Sequence, residues 1–274
     1  MAGSWTPSLK LERPPLEETV IGVQFDTLRN FTSGHYGWYW KKCLDESWDR
    51  TLEVPPLVDV FERFDDQARW NLPKFVLQDS ALPNRIQIIH NQDDRVIQIQ
   101  NTRFIYNWRK RATDYPRFEV TFPEFVSAFG KFQGFIRDAG LGPLSINQWE
   151  VSYVNHIPRG DLWESPSDWN RVLPTLFPRG PSSEYVSFES CSGEWHHVIQ
   201  PKRGRLHVAV QHGKPRVGND EVLILQLTAR GPVDTEKSGW DLEAGLRLGH
   251  EVIVRTFFQL MSLEAQDYWG RRQP

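Results

Sequence analysis

Six of the chain's metal-competent side chains fall within one stretch, CSGEWHHVIQPKRGRLHVAVQH (residues 191–212), which holds Cys191, Glu194, His196, His197, His207 and His212. If the segments around His197 and His207 pair as a hairpin, these sulfur, oxygen and nitrogen donors approach one another, and zinc accepts all three. No CxxC or HExxH spacing accompanies them, and the adjacent His196 and His197 must point to opposite sides of a strand. The reading is therefore of histidines on a half-exposed sheet. Cys191, His196 and His207 remain the candidate ligands, and no cofactor is expected.

A second constellation lies on one strand, where Glu150, Ser152, Val154 and His156 share a face opposite Val151, Tyr153 and Asn155. Six residues of extended chain separate Glu150 from His156 by about 20 Å, too far for one acid–base pair. A Glu150 satisfied by arginine or backbone donors is then a structural device. A third stretch, RFIYNWRKRATDYPR (103–117), interleaves Arg103, Arg109, Lys110 and Arg111 with Tyr106 and Trp108, and PKRGR (201–205) adds Lys202, Arg203 and Arg205. Such a mixture can track phosphates while rings stack on bases. The competing reading is a solvated strand end whose charges discourage edge pairing.

GxSxG, GxxxxGK[ST] and a strand-following GxGxxG are missing from the sequence, so it offers no familiar catalytic framework. The Gly-rich GLGPLS (140–145) precedes a strand and reads as a helix stop. Cys43, although flanked by lysines, sits on the apolar side of an expected helix and reads as a small core residue.

The elements that must position these residues follow from patterning. The chain has 274 residues, 39% hydrophobic and 24% charged, with twelve Trp and sixteen Phe, a globular composition built on aromatics. A net charge of −3 gives no general attraction to nucleic acid or membrane. Two cysteines, no apolar leader at the N-terminus and no long apolar run lead to the expectation of a soluble cytoplasmic protein. An extended arm is expected over 1–16. Strands are expected at 19–26, 68–78, 85–90, 95–100, 103–108, 145–157, 184–200, 205–213 and 221–231, the hairpins being marked by polar turns such as QDDR and QNTR. A helix opens at Ser33, and 49–67, broken by Pro55-Pro56, is a connector. Phe122, Phe125, Val126, Phe129, Phe132 and Ile136 form a stripe predicting a helix over 123–139, and a last helix is expected over 241–264 after a short one opening at Ser165.

Both halves, 17–140 and 145–264, thus read strand, helix, several antiparallel strands, long helix, with a tail at 265–274. The fold class is α+β, with two pseudo-repeated helix-on-antiparallel-sheet lobes. Each half resembles the helix-on-curved-sheet arrangement of helix-grip and TATA-binding-protein-like folds, which implies a sheet with one concave face.

PPLEE (14–18), QIQNTRFIYNW (98–108), the Tyr115-Pro116 step, QWEVSYVNHIP (148–158), GHEVIVRTFFQL (249–260) and YWG (268–270) together resemble an uncharacterised, sporadically distributed bacterial family, TIGR04255. The resemblance covers nearly the whole chain and carries over no catalytic residue. It implies a component of mobile accessory systems, such as antiphage defence or toxin–antitoxin modules. Asn107, Trp108, Glu150, Tyr153 and Asn155 match recurrent positions of that pattern, where Asn would satisfy backbone groups between the halves. The sequence therefore leads to a non-enzymatic binding protein engaging a partner protein. The alternatives are a nucleic-acid binder using 103–117 and a small-molecule-binding or hydrolytic protein with a pocket under the long helices.

Overall fold

Alternating apolar and polar residues build one antiparallel sheet of nine strands, and the computed structural model describes residues 10–64, 84–177, 183–199, 201–213, 221–233 and 241–272. The first half contributes β1 (Lys10–Leu11), β2 (Leu16–Phe25), α1 (Ser33–Cys43), β3 (Trp48–Val54), β4 (Arg85–His90), β5 (Arg95–Gln100), β6 (Arg103–Arg109) and α2 (Phe118–Asp138). The second contributes β7 (Ile146–Pro158), α3 (Trp169–Val172), β8 (Gly193–Ile199), β9 (Gly204–Gly213) and β10 (Val222–Pro232). It ends with α4 (Leu242–Leu260), α5 (Leu263–Tyr268) and β11 (Arg271–Arg272). The sheet runs β3-β4-β5-β6-β2-β7-β10-β9-β8, so β2 and β7 pair at its middle and join the two halves. β1 and β11 form a separate two-stranded ribbon that ties the arm to the chain's end.

Register gives the sheet two unlike faces. Trp108, Thr19, Tyr153, Leu227 and Val208 stand abreast, as do Tyr106, Ile21, Val151, Ala229 and Leu206. All ten are buried, and this is the face the helices cover. Phe104 meets Phe125, Phe129 and Phe132 of α2, and α4 lies over β7 and β10. Burying each such ring contributes about 1.5–3 kcal/mol, so the Phe stripe of α2 is a main source of stability. Close approach of α4 depends on glycine: Gly204, Gly231, Gly245 and Gly249 surround the indole of Trp149, which is 2% exposed.

The other face is a buried polar layer. Gln100, Arg103, Gln24 and Gln148 are cross-strand neighbours, each under 7% exposed. Residues 55–64 cross it in place of solvent. Gln100 donates to Leu57 O (3.0 Å) and accepts from Leu57 N (2.8 Å); Gln24 accepts from Val60 N (3.3 Å); Gln148 donates to Val60 O (2.7 Å) and accepts from Glu62 N (3.1 Å). Side-chain amides thus do for this strap what a neighbouring strand does in a ladder.

Several expectations are corrected. The start of the expected connector, 49–54, belongs to an edge strand, Trp48–Val54; its exposed residues carry no apolar alternation to betray it. The helix expected from Pro123 starts at Phe118, leaving Pro123 as its sixth residue. Among the described residues of 184–200 only Gly193–Ile199 forms a strand, and the long last helix breaks at Met261, where Ser262 caps α5. The strand expected at 68–78 lies outside the described residues. Gly140, at φ +64, does end α2 as its place in the sequence implied.

Candidate functional site

Where the first and second halves meet above the sheet, α4, the start of α2, α5 and the β1–β11 ribbon enclose a cleft of about 660 Å3. Its size is that of a small-molecule site. Leu11, Leu16, Ile253, Val254, Phe257 and Phe258 give it apolar walls, and Tyr153 and Asn155 of β7 reach it from the sheet. Three polar side chains converge there. The Tyr153 hydroxyl lies 2.7 Å from His250 Nδ1 and 3.0 Å from the Tyr115 hydroxyl, while Phe118 stacks on the His250 ring with centroids 4.0 Å apart.

Burial sets the charge state of this group. It pushes the His250 imidazole down to about 4, Glu119 opposing and Arg247 assisting. It also pushes the Tyr115 phenol up to about 12 and the Tyr153 phenol far above its ordinary range. All three are neutral at pH 7. The two hydroxyls and the imidazole are thus joined by hydrogen bonds between neutral partners, which leave no charge to desolvate. Charge is confined to the lining's Lys10, Arg117, Arg255 and Arg271, against Glu119 and Glu251. Arg117 donates to Leu11 O (2.8 Å), and Glu251 and Arg255 pair at 2.6 Å.

The residues singled out from sequence fall elsewhere or take other roles. In β6 the period of two sends rings and cations to opposite faces, so their alternation along the sequence cannot form a mixed surface. Tyr106 and Trp108 are buried under the helices, where Tyr106 binds Glu124 (3.0 Å) and Trp108 packs on Tyr115. Arg103 is buried in the polar layer, donating to Gln24 and Val58 O at 2.7 Å each. Arg109 and Arg111 both hold Asp93 (3.2 and 2.6 Å), and Lys110 holds Glu17 (3.1 Å). Lys202 and Arg203 lie in the turn between β8 and β9, whereas Arg205 reaches Glu62.

Asn107 donates to Glu18 (2.6 Å) and accepts from Gln98 (2.8 Å); Asn155 donates to Leu225 O (3.1 Å), a backbone group of β10. Glu150 faces Arg230 at 3.6 Å. The hairpin pairing of the histidine-rich stretch is present: His196 stands directly across from His207. Glu194, His196 and His207 form the one group of three potential metal ligands among the described residues, and Cys191 is not part of it.

Sequence reasoning missed His250, Phe118 and the role of Tyr115. The signal was a histidine inside the apolar run of α4. Its partners lie 97 and more residues away in sequence, so only the fold brings them together. Comparisons with family models, curated proteins and solved structures find no match to the chain. Among the described residues no helix is long and apolar enough to cross a membrane.

Proposed function

We infer that the protein is a binding protein whose ligand is a small amphipathic anion held in the cleft above Tyr153 and His250. The observation that carries this reading is the cleft itself: apolar walls around a neutral Tyr–Tyr–His group, with four cations against two carboxylates in its lining. Apolar walls take the body of such a ligand and the net positive charge favours an acidic head. The probe is 1-anilinonaphthalene-8-sulfonate, an aromatic anion that fluoresces when its ring leaves water. It is expected to bind with one site per chain, and Val254→Trp, which fills the cleft, is expected to abolish that site with the fold intact by circular dichroism. Unchanged binding by the filled variant would refute the reading.

A partner-protein reading has separate support. Gln24, Gln100 and Gln148 grip the main chain of residues 57–62, and this mode of recognition is indifferent to side-chain identity. An incoming extended segment would be held by the same amides once the strap leaves. Support for the two halves being repeats of one unit comes from strand order. β2 and β7 lie innermost, and in each half the later strands fill in toward them from the outer edge.

A further inference from the structure

A second site lies at the β8 edge of the sheet, apart from the cleft. On the polar face of the β8–β9 hairpin, Glu194 and His196 are two residues apart on the edge strand and so share a side, and His207 faces them from β9. His196 Nδ1 and His207 Nδ1 are 2.7 Å apart, and Glu194 Oε1 lies 3.8 Å from the first and 3.7 Å from the second. A point equidistant from three atoms so spaced is about 2.0 Å from each, the circumradius of the triangle, which is the Zn–N and Zn–O bond length. Tetrahedral bonds of that length set donors about 3.3 Å apart, so the two rings separate slightly as an ion enters, with a fourth position left open.

The surroundings fix the ligand that matters most. Glu62, brought in by the strap and 3% exposed at its side chain, has Oε1 2.7 Å from His207 Nε2. Its other oxygen pairs with Arg205, so a guanidinium group balances a carboxylate there. A carboxylate accepts, so Nε2 carries the proton and Nδ1 presents its lone pair to the centre. That is the carboxylate–histidine–metal relay by which outer groups orient an imidazole ligand. Arg230 Nη2 sits 3.2 Å from the same Nε2 but cannot donate to a protonated nitrogen; its Nε lies 3.3 Å from Glu62 Oε1. Glu62, Glu150 and Glu194 against Arg205 and Arg230 leave the region one negative charge in excess. β8 is the edge strand, and the Glu194 side chain on it is 53% exposed.

We propose that Glu194, His196 and His207 bind a divalent transition ion, with Glu62 orienting His207 and a fourth position open to water or an anionic ligand. Two imidazoles and one carboxylate select zinc over the alkaline-earth ions. Without an ion, the 2.7 Å contact is an N–H···N bond between the two rings. The test is equilibrium dialysis of the tag-free full chain against zinc, with metal counted by mass spectrometry. A cobalt titration then reports tetrahedral geometry through its visible bands. One zinc per chain is expected. His196→Ala and Glu194→Gln, both at the exposed edge and compatible with folding, should each lose it. Glu62→Gln should weaken it about ten- to a hundredfold. His197→Ala, one residue along and on the other face, should bind as the parent does. Stoichiometry well below one per chain, or His196→Ala binding with parental affinity, would overturn the proposal.

Discussion

Gly249→Ala is the substitution in which helix propensity and packing give opposite signs. In a helix interior, alanine is about 1 kcal/mol better than glycine. At Gly249, however, an added Cβ would lie 2.7 Å from Cζ3 of Trp149 and 3.2 Å from Cγ2 of Val151. The indole cannot yield, because Gly204, Gly231 and Gly245 bring backbone to its other sides. Overpacking of this kind costs roughly 1–3 kcal/mol, and the rigid surroundings place it at the upper end. The net expectation is a loss of about 1–2 kcal/mol, the difference between these two effects. Gly130 in α2 is the control: nothing lies within 4 Å of its added Cβ, so Gly130→Ala should gain up to about 1 kcal/mol. Urea unfolding at pH 7 measures both. In a Trp149→Leu background the ring is gone, and Gly249→Ala should become stabilising, a coupling of about 2–3 kcal/mol in the double-mutant cycle. A Gly249→Ala protein as stable as the parent would show that α4 does not rest on Trp149 as described.

Protonation of His250 should make the fold acid-sensitive. Its folded value of about 4 lies below the ordinary 6.5, so the unfolded chain binds the proton more readily. Stability is therefore intact above pH 6.5 and is lost as pH falls toward 4, by about 2 kcal/mol between pH 7 and 5. Urea titrations of the parent and His250→Gln at both pH values should differ by that amount; identical pH dependence in the two would contradict it. The strap offers another test. Gln148→Leu removes both bonds to Val60 O and Glu62 N, half-buried backbone groups whose bonds contribute about 0.5–1.5 kcal/mol each. Hydrogen exchange at Glu62 should accelerate far more than at Ile97 in the core, and equal protection in variant and parent would rule out the amide grip.

Strands with one apolar and one polar face announced themselves by alternation: β4, β5 and β6 fall within a residue of where Ile86–Ile88, Ile97–Ile99 and Phe104–Trp108 place them. β3 did not, because an edge strand exposed on both faces has no pattern to read. Rows of Gln, Asn and Arg looked like a solvated surface, yet Gln24, Gln100 and Gln148 are buried. A polar residue bonded to a covering segment is indistinguishable in sequence from one bonded to water. The strap itself, announced only by Pro55-Pro56, has no internal periodicity because its hydrogen-bond partners are side chains of β2, β5, β6, β7 and β9. The hairpin that opposes His196 to His207 was legible from local alternation, whereas Glu62 is 145 residues from His207 and no local rule connects them. The cleft was illegible for the same reason. Tyr115, Tyr153 and His250 belong to stretches singled out by resemblance, but their meeting depends on β2 pairing with β7 at the centre of the sheet.

The cleft reading is tested most directly at His250. With the protein labelled for imidazole resonances, 1-anilinonaphthalene-8-sulfonate is titrated at pH 7 and the His250 ring signals are followed beside those of His90, which lies on β4 outside the cleft. The account predicts saturable movement of the His250 signals at the same midpoint as the fluorescence, with His90 unmoved. A stationary His250 at full fluorescence would place the ligand elsewhere and contradict it.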